Sequence, residues 1–305
     1  MNLARLRRGL AFERLWALVV LDATLEDVLA GAAPTGAYLY PPERDRFWAD
    51  PFPVRDADGQ LWIFAEEMHR WRGLGEIVAL RISHGQVAQR TTVLRSRHHY
   101  SFPQAHFHEG TWTATAETCD PLAPMYTFTA PGAPWQASLR TLPPRIIDPA
   151  VAVPASGSAD RTWLLTATDP DDYFAGFRQW QAEEGVGWEA QPERSFRDPV
   201  LARPAGNADL GRALRSVQDC SDNYGIATSI IEWHPRDQHT PAGPGAVHRR
   251  LTGDDFGHGA LGTHTLSWTP DGATLVADVW KRGPQAFSGV HRVLEQRHSR
   301  ICRHS

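Results

Sequence analysis

Short apolar runs broken by turn residues, rather than long helical stripes, organise this chain from about residue 45 onward. Trp62-Ile63-Phe64, Trp163-Leu164-Leu165 and Thr274-Leu275-Val276 are such runs. Asp58-Gly59, Glu109-Gly110 and Asp271-Gly272 lie between apolar segments, where glycine accepts the left-handed backbone that a tight hairpin demands. No 3.6-residue periodicity is sustained after Gly31. Ahead of it, Leu15–Leu21 reads as a buried strand. Thr24 then caps a short helix with Leu25, Val28 and Leu29 on one face, ended by Gly31. Pro154–Asp160 and Thr240–Ala246, rich in Pro, Gly, Ala and Ser, read as surface loops.

The strand pattern repeats. Ala49-Asp50-Pro51-Phe52, Phe102-Pro103-Gln104-Ala105, Asp148-Pro149-Ala150-Val151, the weaker Arg203-Pro204-Ala205-Gly206 and Gly262-Thr263-His264-Thr265 each open a new set of strands. Their spacing of roughly 45–60 residues is a propeller-blade period. A sandwich also uses regular short strands, but the blade-length period favours an all-β, five-bladed β-propeller with a short N-terminal strand–helix lead-in. The expected layout is 1–44 as a lead-in packed on the propeller, 45–290 as the propeller and 291–305 as a basic tail. Equivalent positions on successive blades then converge on one axis.

With 305 residues the chain has ample material for a core, and its net charge of −4 gives no field for nucleic acid. Arg5, Arg7 and Arg8 at one end and Arg292, Arg297, Arg300 and Arg303 at the other read as solvated termini. Leu15–Leu21 is too short to span a bilayer, and Asp22, Glu26 and Asp27 follow where an export signal prefers small neutral residues. Cys119, Cys220 and Cys302 form neither a disulfide framework nor a zinc pattern. A cytoplasmic location is the expectation. Twelve tryptophans are many; most should pack between sheets, and some, Trp48 beside Asp50 among them, offer a face to a sugar ring.

The ordered series ADPF with DGQLWIFAEE, SFPQAHFHEGTWTATAE, IDPAVAV, LARPAG with VQDCSDNYG, and GTHTL resembles the N-terminal domain of glucosamine inositolphosphorylceramide transferase and its bacterial relatives. That domain is similar in turn to the five-bladed propellers of glycoside hydrolase family 43. The resemblance spans roughly residues 12–280 and implies sugar chemistry. It implies that Asp50 is a general base, that Asp148 orients and tunes the acid, and that His264 stands near the axis beside a water or metal. The blade-four Glu that donates the proton in those hydrolases is missing: Arg203-Pro204-Ala205-Gly206 stands there.

Glycosyl transfer to water or another acceptor needs a base or nucleophile on one side of the anomeric carbon and a proton donor on the other. Asp50 is the first choice for the former, with Asp148 as its neighbour. Glu117, Asp219 and Glu66 are candidates for the donor, since an inward acid in a crowded acidic pocket gains proton affinity. Glu66 and Glu67 point to opposite faces, so one alone is central. Arg203, suited to a carboxylate or phosphate or else to bridging a buried Asp, joins His264, Gln218, Tyr224 and His106 as expected substrate-binding residues. His106, His108 and His264 raise the thought of a metal, but no metal or cofactor is expected, a central divalent ion being compatible with the pattern. Phe174–Glu184 reads as a brief helix or a hairpin. Three functions fit: a carbohydrate-active enzyme with a central acidic pocket, a non-catalytic propeller that binds a glycan or sugar phosphate, and a peptide-docking platform. Inward acids disfavour the last. The expected partner is a carbohydrate or sugar-phosphate small molecule, with no nucleic acid.

Overall fold

The computed structural model describes residues 13–155, 157–235 and 243–283. Each apolar run becomes a strand, each Gly-containing turn a hairpin: Glu109 and Gly110 both adopt positive φ, at 48° and 79°. Four strands make the first blade (Arg46–Arg55, Leu61–His69, Leu74–Ser83, Gln86–Leu94), running antiparallel from the axis outward. The second uses Tyr100–His108, Thr111–Thr118, Pro124–Phe128 and Gln136–Thr141. The third uses Ile147–Ala152, Thr162–Thr168, Gly176–Glu183 and Val186–Ala190. An eight-stranded sheet holds the other two blades. It divides at a lone parallel pairing, Gly206 with Leu266, into a fourth blade (Pro204–Asp209 to Val247–Thr252) and a fifth.

The fifth blade corrects the expected lead-in. Leu266–Trp268 and Leu275–Gly283 come from late in the chain, whereas Glu13–Leu21 and Gly36–Leu39 come from its beginning. Glu13–Leu21 pairs antiparallel along Leu275–Gly283, so the N-terminal strand is an integral third strand that closes the ring. The helix that follows, Leu25–Leu29, carries a Thr24–Asp27 capping box and buries Leu25 and Val28. Gly176–Glu183 is a strand, which settles Phe174–Glu184 in favour of a hairpin. Cys119 is disulfide-bonded, a bond that the reading of no disulfide framework did not include, and Cys220 is free and buried. The basic ends and part of Thr240–Ala246 lie outside the described residues.

Tryptophans fill the seams. Trp62, Trp112 and Trp135 pack between blades one and two, Trp163 between two and three, and Trp268 between four and five. At the axis Phe52 and Phe102 meet edge to face with centroids 4.9 Å apart, joined by Ala150, Ala152 and Ala208 from blades three and four. This apolar plug borders Asp50, to which the Phe102 amide donates.

Candidate active site

The X-Pro phrase has one structural meaning in three blades. Asp50, Phe102 and Asp148, each before a proline, have φ of 50°, 50° and 51°, and in each innermost strand the pairing register slips there. Proline is tolerated because the innermost strand is an edge. The bulge turns the preceding residue toward the axis. Phe102 shares the conformation without any reactive group, so the strained backbone belongs to the blade rather than to catalysis.

Asp50 is 5 % exposed. Its Oδ2 accepts from the Phe102 amide at 3.1 Å and its Oδ1 from Thr265 Oγ1 at 2.8 Å. The Asp50 amide donates to Asp278 Oδ2 at 3.0 Å. Asp278, fully buried, also accepts the amides of His264 and Thr265 through Oδ1. His264 lies between the two acids: Nε2 is 3.3 Å from Asp50 Oδ1, and Nδ1 is 2.6 Å from Asp278 Oδ2 in a contact without hydrogen-bond alignment. Burial pushes the Asp50 carboxyl up to about 6, His264 opposes this, and the charges of Asp278 and Asp148 add to it. For His264 burial works against the proton, but Asp278 and Asp50 outweigh it and hold its affinity above normal.

Across the axis, Asp148 Oδ2 accepts from Arg203 Nε at 2.5 Å, both side chains being buried. Arg203 Nη1 donates to the Tyr173 carbonyl at 3.2 Å and Nη2 to the Tyr173 hydroxyl at 3.3 Å. The guanidinium lies 4.2 Å from the Tyr173 ring centre and 4.8 Å from that of Tyr224. Glu117 Oε2 accepts the Asp148 amide at 2.9 Å. Burial, then the Asp148 charge, holds the Glu117 carboxyl well above the usual range. Three blades thus supply one linked set: Glu117 from the second, Asp148 from the third, Arg203 from the fourth.

Other expected residues separate. Asp219 accepts from Ser221 Oγ at 2.7 Å and from Arg250 at 2.6 Å; burial would raise its carboxyl, but these partners hold it below normal. Glu66 and Glu117 do occupy equivalent places, opposite Ala49 and Ser101, yet Glu66 faces His99 with Oε1 3.5 Å from Nε2. Trp48 is a core residue, 1 % exposed, packed with Leu18, Ile63 and Val276 and donating Nε1 to Glu67. Gln218 is buried, with Oε1 accepting from Cys220 Sγ. Tyr224 does reach the site, over Arg203 and edge-on to His264. His106 lies toward the far end of its strand, its ring pushed down to about 4 by burial. The three histidines therefore do not meet.

Sequence reasoning passed over Asp278, Thr265, Tyr173 and Trp16. Trp16, from the closing strand, stacks on His264 with centroids 4.0 Å apart. Asp278 did leave a signal: one acid in the otherwise apolar run Leu275–Trp280 must be inward and partnered.

Two clusters of described residues bring three ligand-type atoms within 4.8 Å of one another: Asp50, His264 and Asp278, and Glu67, His69 and Glu76. In the first, every carboxylate oxygen already accepts a hydrogen bond. In the second, Arg46 and Arg90 stand against Glu67 and Arg95 against Glu76. Neither donor set calls for a cation.

No family model matches the chain, and no curated protein does. The named transferase resemblance therefore gains nothing from sequence comparison. Among solved structures, the catalytic domain of the Coprinopsis cinerea GH62 α-L-arabinofuranosidase is 11 % identical, with 89 % of this chain and 97 % of that one aligned at a TM-score of 0.50. The Xanthomonas citri GH43_1 enzyme complexed with xylotriose is 15 % identical over 79 % and 91 %, at 0.48. Bacillus subtilis arabinanase Arb43A is 9 % identical over 75 % and 92 %, at 0.48. The fold is that of the glycosidase propellers. No helix among the described residues is long and apolar enough to cross a membrane.

Proposed function

We propose that this chain is a glycoside-cleaving enzyme, with Asp50 as general base and Glu117 as proton donor. The observation that carries the reading is a pair of carboxyls of raised proton affinity in one polar cluster at the axis, Asp50 buried and Glu117 half-buried and bonded to the Asp148 amide. Glu117 protonates the departing glycosidic oxygen as the C–O bond breaks, and Asp50 takes a proton from the water that bonds to the anomeric carbon. Asp148 is paired with Arg203, and after burial its charge is what keeps the Glu117 proton in place. The Arg203–Asp148 pair stands where the blade-four acid is absent, and Glu117 from blade two takes over the donor role. Oligosaccharides with pentose units are the first substrates to test, given the arabinofuranosidase and xylotriose relatives in fold.

The test is hydrolysis of natural arabino- and xylo-oligosaccharides and of p-nitrophenyl glycosides. Asp50→Asn should lower kcat/KM on both by about 10³-fold or more, with an unchanged circular dichroism spectrum. Glu117→Gln should lose about 10²–10⁴-fold on the natural substrates and far less on p-nitrophenyl glycosides, whose leaving group needs little help from an acid. Full activity in Asp50→Asn removes the base from Asp50.

A second reading is glycan binding without turnover, favoured by the arginine in the usual acid's place. Its sugar-phosphate version is weakened because all three guanidinium nitrogens of Arg203 already donate to Asp148 and Tyr173. Calorimetric binding of an oligosaccharide with no product after prolonged incubation would select it.

A further inference from the structure

A cavity of about 300 Å³ opens between the second and third blades. His108, on its wall, ends the strand in which Phe102 contacts Asp50. The intervening extended chain places the cavity about 20 Å from the axial cluster.

Two polar atoms on its lining have no partner: Thr113 Oγ1 and Trp163 Nε1. Their residues are 6 % and 2 % exposed. Buried polar groups in native proteins are nearly always paired, so this grouping calls for a partner. The partner's chemistry follows from the donors. An indole N–H and the guanidinium of Arg140 can only donate, while the Thr113 hydroxyl gives or receives. A compact ligand rich in hydroxyl oxygens satisfies all three. The Trp163 ring and Met125 also line the space and suit C–H surface. Charge does not select an anion. Arg140 stands 5.6 Å over the Trp163 ring, but Glu109 and Glu184 share the lining. The volume lies at the small end of ligand pockets, room for one ring.

We propose that this cavity is a second binding site, for a single neutral sugar ring. It holds a pentose or hexose by its hydroxyls at Thr113, Trp163 and Arg140, and does no chemistry on it. The proposal is independent of the roles given to Asp50 and Glu117.

The test is calorimetry and saturation-transfer NMR on the full chain with D-glucose, D-galactose, D-mannose, D-xylose and L-arabinose. The expected result is saturable binding of at least one of them, equal in the parent and in Asp50→Asn. Its Kd should rise about tenfold in Thr113→Val and in Arg140→Ala, the effect of losing one such hydrogen bond. Arg140 is part-exposed, so its variant keeps the test open should Thr113→Val disturb the core. Turnover of p-nitrophenyl glycosides should not change in either cavity variant. If none of the five sugars saturates the parent, the cavity holds water only and the proposal fails. An unchanged Kd in the cavity variants, or a loss confined to Asp50→Asn, places sugar binding elsewhere and overturns it as well.

Discussion

A proton on Asp50 or Glu117 is held by the cost of burying charge, and that cost shows in both activity and stability. In the mechanism proposed above, cleavage requires Asp50 ionised and Glu117 protonated, so kcat/KM should trace a bell. Its acid limb falls near pH 6 and its alkaline limb lies above the ordinary carboxylate range. Glu117→Gln should abolish the alkaline limb and keep the acid one. For stability, the folded state binds more protons than the unfolded chain between the unfolded carboxyl value, 3.8, and about 6 at Asp50. Stability should therefore fall as pH rises through that window, by about 3 kcal/mol from this group alone. His264, raised in the fold, continues the fall in stability at pH above its ordinary value of 6.5. Below about pH 4 the sign reverses, because Glu43, Asp219 and Asp271 hold their charge more firmly when folded. Urea titrations of the parent and Asp50→Asn across pH 4–8 check this; an equal slope in both removes Asp50 as the source. Arg203→Ala, which strands Asp148, should cost about 3–5 kcal/mol, more than replacing both partners by apolar groups. At this scale the sequence carried types and not partners. The Asp-Pro phrase showed that Asp50 and Asp148 are special, whereas nothing local could tell Glu117, facing Asp148, from Asp219, facing Arg250.

Single strands decide where those residues point. The bulge before proline aims Asp50, Phe102 and Asp148 inward, and its recurrence was readable as a repeated phrase. Glu13–Leu21 was readable as a strand from its apolar run, but its neighbour was not. Alternation assigns faces, and the partner strand lies more than 250 residues away in the chain. That strand reaches the site through two residues. Trp16 stacks on His264, and Arg14 Nη1 donates to the Tyr224 carbonyl at 2.7 Å. Gly225 fits between them: its φ is 69°, and a Cβ there would come within 2.9 Å of the Trp16 ring and 3.3 Å of His264. Trp16→Ala should lower stability by about 3–5 kcal/mol in chemical denaturation. It should also shift the His264 ring resonances and their titration, which a loss of packing confined to the blade edge would leave in place.

At the level of the ring, closure is made by hydrogen bonds between the two ends of the described chain. Leu18 packs toward the first blade with Trp48 and Ile63, and Val19 toward the fourth with Leu214 and Ile230, so one strand serves two seams. Deleting Glu13–Leu21 would bare both seams and the whole edge of Leu275–Gly283. The expected product is a soluble-poor, dye-binding state without near-ultraviolet circular dichroism. Register offers a sharper experiment. Glu13 pairs opposite Gly283, so a short turn can lead from one directly into the other. A permuted chain that begins at Pro41, runs to Gly283, crosses a four-residue Gly-rich turn and ends with residues 13–40 makes the fifth blade continuous. It keeps every strand pairing, and the new break falls between Gly36–Leu39 and Arg46–Arg55, where no ladder is interrupted. Such a chain lacks Cys302, so it is compared with a parent carrying Cys119→Ser, and should fold within about 2 kcal/mol of it, since a hairpin turn closes with little entropy. It should also retain the Trp16–His264 contact and the parent's pH profile. Failure of this permutant, with the deletion variant remaining folded, would mean that the strand sits beside a ring already closed without it.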